Sequence, residues 1–552
     1  MIFCLRKIKK VLDFVSDSDI MYTTVQRFDY QSRRVSLYYY KEQQKRQAYF
    51  GFPLNKKYSF VNTGGTTHMK ITKIVASEVL TLYTDSNIGG KVYIKYFSPA
   101  LAEKNVLCEK ESEVKDGVIV CDRFEGGRDL MYCKISVTDE NGKPVEGKEY
   151  VEEILDSERS FDYPVADTKK GLQVTMVKDA VELGVRHAAL NVNLGDFLMP
   201  APDGDNTIEF IFDGKIYYIN KKITEKNDAK VKELSDNGII ITFILLNSKH
   251  WTTTVSDEFW NIIKHPGYTP DGLISQFNVM EEQGLDYYRA FVAFISDRYT
   301  QEDERYGRAV GLIVGNEINS GYVWCNAGEM SCEQYCYEYT TALRIAYQTS
   351  RVFYDKMRIY ISLDHFWTGA NENAAPNRYY GSKFVLDYIN RYCLAEGQIP
   401  WNIAHHPYPE DLRYPDFWND VSALPNLDAP IITFKNLEVL AEFLYQKEYL
   451  YNGERRRIIL SEQGFNSFFT PESEIVQAMA YGRAYKKIMQ IPEIDSFILH
   501  AHQDNKEEFG LNLGLWRRKP DSGELDAPKP VYYVFKMIDR KDEKGVWHWE
   551  RY

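Results

Sequence analysis

Glu317 and Glu462 are the residues of this 552-residue sequence whose types and setting point most directly to chemistry. Each closes a short apolar run. Leu312, Ile313 and Val314 precede Gly315-Asn316-Glu317, and Ile458, Ile459 and Leu460 precede Ser461-Glu462. Glycosidic bonds are cleaved by two carboxyl groups: one protonates the leaving oxygen, and the other attacks the anomeric carbon or activates a water. A carboxyl ending a buried strand sits in a low-dielectric rim and can keep its proton near neutral pH. That environment suits Glu317 as acid/base. Glu462 suits the nucleophile, held ionised by donors such as His405 or His406. Asn316 would then donate to a sugar 2-hydroxyl, a contact that strengthens in the transition state. The competing explanation is two Glu side chains that merely brace a scaffold.

The elements that must position this pair form an alternating series. From about residue 161 apolar strands alternate with helical stretches, the pattern of a parallel α/β fold. Strands are expected at 170–174, 186–195, 238–247, 311–319, 359–367, 401–409, 456–465 and 494–505, with helices at 177–184, 285–299 and 531–539 among those between and after them. Eight strands in one series predict a closed (β/α)8 TIM barrel over residues 161–552. Its active site would form where the C-terminal strand ends meet. Polar residues gather at those predicted ends, so a binding crater is expected from Asn191, Asn193, Asp364, His365, His405, His406, Tyr408 and His502. Among the rim aromatics Trp324, Trp367, Tyr408, Trp418 and Trp516, packing competes with sugar stacking; Trp367 and Trp516 are the preferred stacking pair.

The motifs GNE at 315–317 and SEQGF at 461–465 resemble those of clan A glycoside hydrolases. The resemblance covers roughly residues 165–540, and the passage at 514–536 is similar to the clan's last strand-to-helix connection. It implies a (β/α)8 barrel, an Asn-Glu acid/base motif, a strand-seven nucleophile, and cleavage of β-glycosidic bonds in an oligo- or polysaccharide with retained configuration. His406 and Tyr408 match the clan's strand-six His or Tyr. The chain departs at strand eight, where many members place a Trp and this sequence has His500-Ala501-His502-Gln503-Asp504, with Trp516 following. The stretches 401–420 and 432–440 are similar to a family of bacterial barrel proteins of unassigned function, which supplies no substrate. Sugar, linkage and endo or exo action stay open.

Upstream, residues 25–160 read as a β-sandwich, with strands near 92–97, 117–124 and 131–138. Bracing the barrel is favoured over glycan binding. Residues 1–24 read as a lead segment, and Met21 could be the true start. The apolar start of the lead is too short for an export signal and its charges follow rather than precede it, so a cytoplasmic protein is expected. Net charge is −12, against a nucleic-acid partner. No apolar run reaches membrane-span length. Eight cysteines are expected as reduced thiols, including Cys332 and Cys336 downstream of Cys325. Neither cofactor nor metal is expected, and the oligomeric state has no signal. Two rivals remain. One is a metal-dependent barrel hydrolase using the histidine cluster, disfavoured because strand one offers Gln173 and no His. The other is a non-catalytic carbohydrate-binding barrel.

Overall fold

The computed structural model describes residues 69–552, apart from 88, 253–254, 372–375, 506 and 520. The lead at 1–24 and the first part of the expected β-sandwich lie outside the described residues.

Residues Lys70–Ile154 form a mostly antiparallel β region. Its strands follow one hydrogen-bonded path: Val106–Val114, Gly90–Phe97, Lys134–Asp139, Pro144–Gly147, Lys70–Ala76, Val79–Thr84 and Val118–Asp122, with Glu153–Ile154 beside Lys70–Ala76. Alternating burial along Gly90–Phe97 marks one face as core. A short parallel pairing of Lys70–Ala76 with Pro144–Gly147 joins two antiparallel halves. The region packs against the barrel's helices: Tyr347 donates to the Glu152 carbonyl (2.8 Å) and Gln348 to the Val151 carbonyl (3.1 Å).

The second architecture is a closed parallel barrel. Its strands are β1 (Lys170–Leu172), β2 (His187–Asn193), β3 (Ile240–Leu246), β4 (Gly311–Val314), β5 (Arg358–Leu363), β6 (Trp401–His405), β7 (Ile458–Gln463) and β8 (Ile494–Leu499). After them come α1 (Val177–Glu182), α2 (Lys221–Asp236), α3 (Glu282–Arg298), α4 (Cys332–Phe353), α5 (Ser382–Glu396), α6 (Glu438–Leu444), α7 (Pro471–Met489) and α8 (Pro530–Met537). Helix starts carry local signals: Ser331 accepts from the Gln334 amide to cap α4, and Thr470 caps α7 with Pro471 in its first turn. All eight expected strands are present, mostly ending earlier than expected because the chain turns into loops at the polar residues. A hairpin sheet of Leu198–Met199, Thr207–Phe212 and Lys215–Asn220 interrupts the passage from β2 to α2.

The barrel interior is its own apolar cluster: Ala189, Ile244, Leu246, Ile313, Tyr360, Ala404, Ile459 and Ile498, drawn from β2 through β8. β1 contributes Gly171, where an added Cβ would come within 2.7 Å of Ile498 Cγ1. The fill is thus one packed layer, which Leu246 of β3 extends toward the C-terminal end. Ile313→Ala should cost about 2–5 kcal/mol, by lost contacts and the cavity left behind; a lowered thermal unfolding midpoint would report it.

Candidate active site

Strand side chains alternate between barrel interior and helix-facing exterior. Two residues beyond the apolar layer, each strand therefore points inward again at its C-terminal end. Following the strands in order, those positions are Gln173 (β1), Asn191 (β2), Leu246 (β3), Gly315 (β4), Ser362 (β5), His406 (β6), Ser461 (β7) and His500 (β8). Apart from Leu246 and the glycine, all are polar, and Asn191 is exposed at the mouth.

Glu317 is delivered by a sharp turn. Gly315 has φ +76° and Glu317 itself adopts a left-handed conformation, φ 39° and ψ 55°. Such a conformation is strained for a residue with a Cβ and needs local support. Its amide donates to Ser362 Oγ (2.9 Å), and its carbonyl accepts from the Ser320 amide (2.8 Å). Asp364 staples the same turn by accepting from Asn319 Nδ2 and Ser320 Oγ. The Glu317 carboxyl meets His406 Nδ1 at 2.9 Å, while His406 Nε2 lies 3.0 Å from Ser461 Oγ.

Glu462 reaches the mouth through an irregularity. Leu460 pairs with Phe497 but Gln463 with Leu499, so β7 carries one extra residue across Ser461-Glu462. Bulges of this kind re-aim side chains. Ser461 touches His406, and Tyr408 donates its hydroxyl to Glu462 Oε1 at 3.2 Å. One oxygen each from Glu317 and Glu462 and one ring nitrogen of His406 all lie within 4.8 Å of one another. Among the described residues this is the group able to hold a metal ion.

The electrostatics act on Glu317 and the histidines around it. The Glu317 carboxyl is raised to about 7: burial pushes it up most, the charges of Asp364 and Glu462 add to that, and the His406 contact offsets part of it. Burial opposes charge on His406, but Glu317 and Glu462 outweigh it and raise its pKa. His500 Nδ1 lies 2.6 Å from Gln173 Oε1 and its Nε2 lies 3.2 Å from Glu508 Oε2. Burial lowers its pKa, and Glu508 and Glu462 raise it more.

Several residues expected at the crater are committed elsewhere. Trp367 is 1% exposed, donates to the Leu427 carbonyl (3.0 Å) and packs edge-on against Phe443, so it cannot offer a face to sugar. His405 is buried with Nε2 on the Ile432 carbonyl (3.1 Å), and burial lowers its pKa to about 3. It is thus not a donor to Glu462. His365 is buried beside Phe366, its pKa lowered by desolvation. His502 is fully buried between Asp179 (2.8 Å) and the Thr175 and Met176 amides, and Trp516 donates to the same Asp179 (2.9 Å). Asn193 clamps both backbone groups of Ser248 at 2.8 Å. Asp504 holds Lys529 (2.6 Å). The histidine cluster is therefore divided among separate partners. Asn316 is half-buried beside Glu317. Among the cysteines, Cys332 and Cys336 bring their sulfurs to 3.9 Å.

Sequence reasoning passed over Ser362, Ser461 and Glu508, and named Trp324 among the rim aromatics without preferring it. Trp324 packs against the barrel's interior layer and meets Phe509 edge-to-face at 6.3 Å; Phe509 is 77% exposed. Inward parity, counted two residues past an apolar layer residue, was the signal available for the two serines.

A family model described as a family of unknown function, DUF5722, matches residues 162–549, and the chain belongs to that family. No curated protein matches. Among solved structures, the chain is similar to a family 39 glycoside hydrolase from the gut symbiont Bacteroides cellulosilyticus WH2 (15% identity, 85% of this chain and 81% of that one, TM-score 0.44). It is also similar to a hyperthermophilic β-glucosidase from Pyrococcus furiosus (14%, 66% and 83%, TM-score 0.42) and a family 1 β-glucosidase from Thermotoga maritima (11%, 66% and 84%, TM-score 0.42). These scores are too low to argue activity from. No helix among the described residues is long and apolar enough to cross a membrane.

Two outcomes follow from the contacts. In His406→Ala the Glu317 carboxyl should titrate above about 7, because the group that lowers its pKa is gone while burial and Glu462 remain; carboxyl-carbon NMR with a Glu317→Gln reference would read it. Trp367→Ala should cost about 3–5 kcal/mol of stability as a core truncation, measured by denaturant unfolding.

Proposed function

We propose that the protein is a retaining glycoside hydrolase cleaving β-glycosidic bonds in an oligo- or polysaccharide, with Glu317 as acid/base and Glu462 as nucleophile. One observation carries this reading: a Glu317 oxygen and a Glu462 oxygen lie within 4.8 Å at the barrel mouth. Retaining enzymes hold their carboxyl groups about 5–5.5 Å apart, whereas inverting enzymes leave about 6.5–9.5 Å for a water. The resemblance of the GNE and SEQGF motifs to clan A supports the same roles.

In the proposed reaction, a Glu462 oxygen attacks the anomeric carbon as the bond to the leaving oxygen breaks. Glu317 gives its proton to that oxygen. The products are a glycosyl ester on Glu462, a free alcohol and an ionised Glu317. His406 Nδ1–H can then donate to the new carboxylate, with the ring held by Ser461. Glu317 next takes a proton from water, the water oxygen attacks the anomeric carbon, and the ester to Glu462 breaks. Tyr408 orients the nucleophile in both steps. Asn316 serves the 2-hydroxyl, Asn191 lines the mouth, and Trp324 with Phe509 supplies apolar contact for a sugar ring. The Lys70–Ile154 region, read as a sandwich-type module, braces the barrel.

Glu317 must be protonated to act as acid, and the protonated form exists below its raised pKa. Turnover should therefore fall as pH rises through about 7. A pH profile of kcat/KM on an aryl glycoside checks this. Glu317→Ala should slow unactivated glycosides about 10²–10⁴-fold while sparing dinitrophenyl glycosides, whose leaving group needs no proton. Glu462→Ala should lose turnover, and added azide should give a glycosyl azide of inverted configuration. A chelator-sensitive activity surviving Glu462→Gln would reject the mechanism in favour of metal-dependent hydrolysis. Saturable oligosaccharide binding without turnover across a glycoside screen would favour the non-catalytic barrel. Trp324→Ala should raise KM with little change in kcat.

A further inference from the structure

The far end of the barrel holds a feature that the glycosidase reading does not use. Parallel strands put all their N-terminal ends on one face, opposite the face that carries Glu317 and Glu462. At that N-terminal face lies a cavity of about 390 Å³. Arg358 and Trp401, the first residues of β5 and β6, line it, with Arg455 and Arg456 just before β7 and Arg351 from the last turn of α4. Tyr163, on the segment leading from the β region into the barrel, closes another side.

The charge of this wall is lopsided. With Lys356 it carries five cations, against one acid, Glu454, in a chain whose net charge is −12. Three of the cations have counter-charges: Arg358 with Asp495 (2.8 Å), Arg455 with Glu493 (2.7 Å) and Lys356 with Asp162 (2.9 Å). The other two do not. Arg456 is 3% exposed and donates to the carbonyls of Tyr449, Ile399 and Trp401. Desolvation lowers its pKa to about 10, as expected for a buried cation without a carboxylate. Arg351 has a buried Nε with no hydrogen-bond partner among the described residues, and it forms no carboxylate ion pair there. Arg351 lines the cavity half-buried and without a carboxylate partner, so its guanidinium can turn paired N–H donors to a phosphate or sulfate oxygen.

We propose that this cavity binds a small ligand carrying a phosphate-type dianion on a ring-sized body, of the class of a monosaccharide phosphate, with Arg351 as the anion's principal donor. A bare anion would leave most of the volume unfilled, and the rings of Tyr163 and Tyr451 flank the remaining space. The site touches both the barrel and the segment entering it, so occupancy would tie the two together.

Isothermal titration of the full chain with glucose 6-phosphate, inorganic phosphate and glucose tests this. Saturable binding of the ester, tighter than that of inorganic phosphate and absent for glucose, is expected. Arg351→Gln should weaken the ester at least tenfold with an unchanged unfolding midpoint. Lys356→Gln, at a more exposed position, should weaken it less. No saturable heat with either anion, or equal affinity in Arg351→Gln, would overturn the site. Inorganic phosphate binding as tightly as the ester would overturn the ring-sized part of the assignment. No turnover is read, so failure here leaves the glycosidase reading untouched.

Discussion

Two carboxyl groups with oxygens inside 4.8 Å repel one another when both are ionised, by about 3 kcal/mol at an effective dielectric near 20. Burial adds to that cost for Glu317. Burial and that repulsion both favour a proton on Glu317, whose carboxyl meets His406, while a Glu462 oxygen accepts from Tyr408. The same asymmetry is what the proposed division into acid and nucleophile requires. Everything around the pair works to hold this geometry against the repulsion.

That holding is done by backbone devices more than by salt bridges. A glycine turn and a left-handed Glu317 end β4 early, and Ser362 on β5 and Asp364 just past its end pin the turn through its amide and its next side chains. On β7 one extra residue brings both Ser461 and Glu462 to the mouth, where strict alternation would admit one. His406 then bridges the two devices, touching Glu317 with one nitrogen and Ser461 with the other. Removing any single contact relaxes a geometry that several others over-determine, which is how a strained residue persists in a folded protein.

The barrel was legible in the sequence because its strands are short apolar runs bounded by turn residues, and their order alternates with helical spacing. The Glu pair was legible because both residues end such runs. The hairpin at Thr207–Phe212 and Lys215–Asn220 was not read, although its two-residue turn Asp213-Gly214, both at positive φ, is a strong hairpin signal; it interrupts a βα connection that the barrel pattern leads one to expect as a simple loop. The path of the N-terminal strands was hidden too, since local alternation says which residues face a core but not which strands pair. Trp367 misled for a related reason. A tryptophan past a strand end can face the mouth or the surrounding helices, and only the parity of the strand decides.

Parity also explains why four histidines of similar sequence setting behave differently. Ala404 fills the interior, so His406 points inward and His405 outward. Outward, His405 loses water and gains a backbone carbonyl, and its pKa falls to about 3. Inward, His406 loses water equally but faces two carboxyl groups, and its pKa rises. On β8, Ile498 is interior, which sends His500 inward to Gln173 and Glu508, while His502 lies beyond the strand end and serves Asp179. A cluster of histidines along a chain is therefore not a cluster in space: neighbours one residue apart on a barrel strand occupy different solvents.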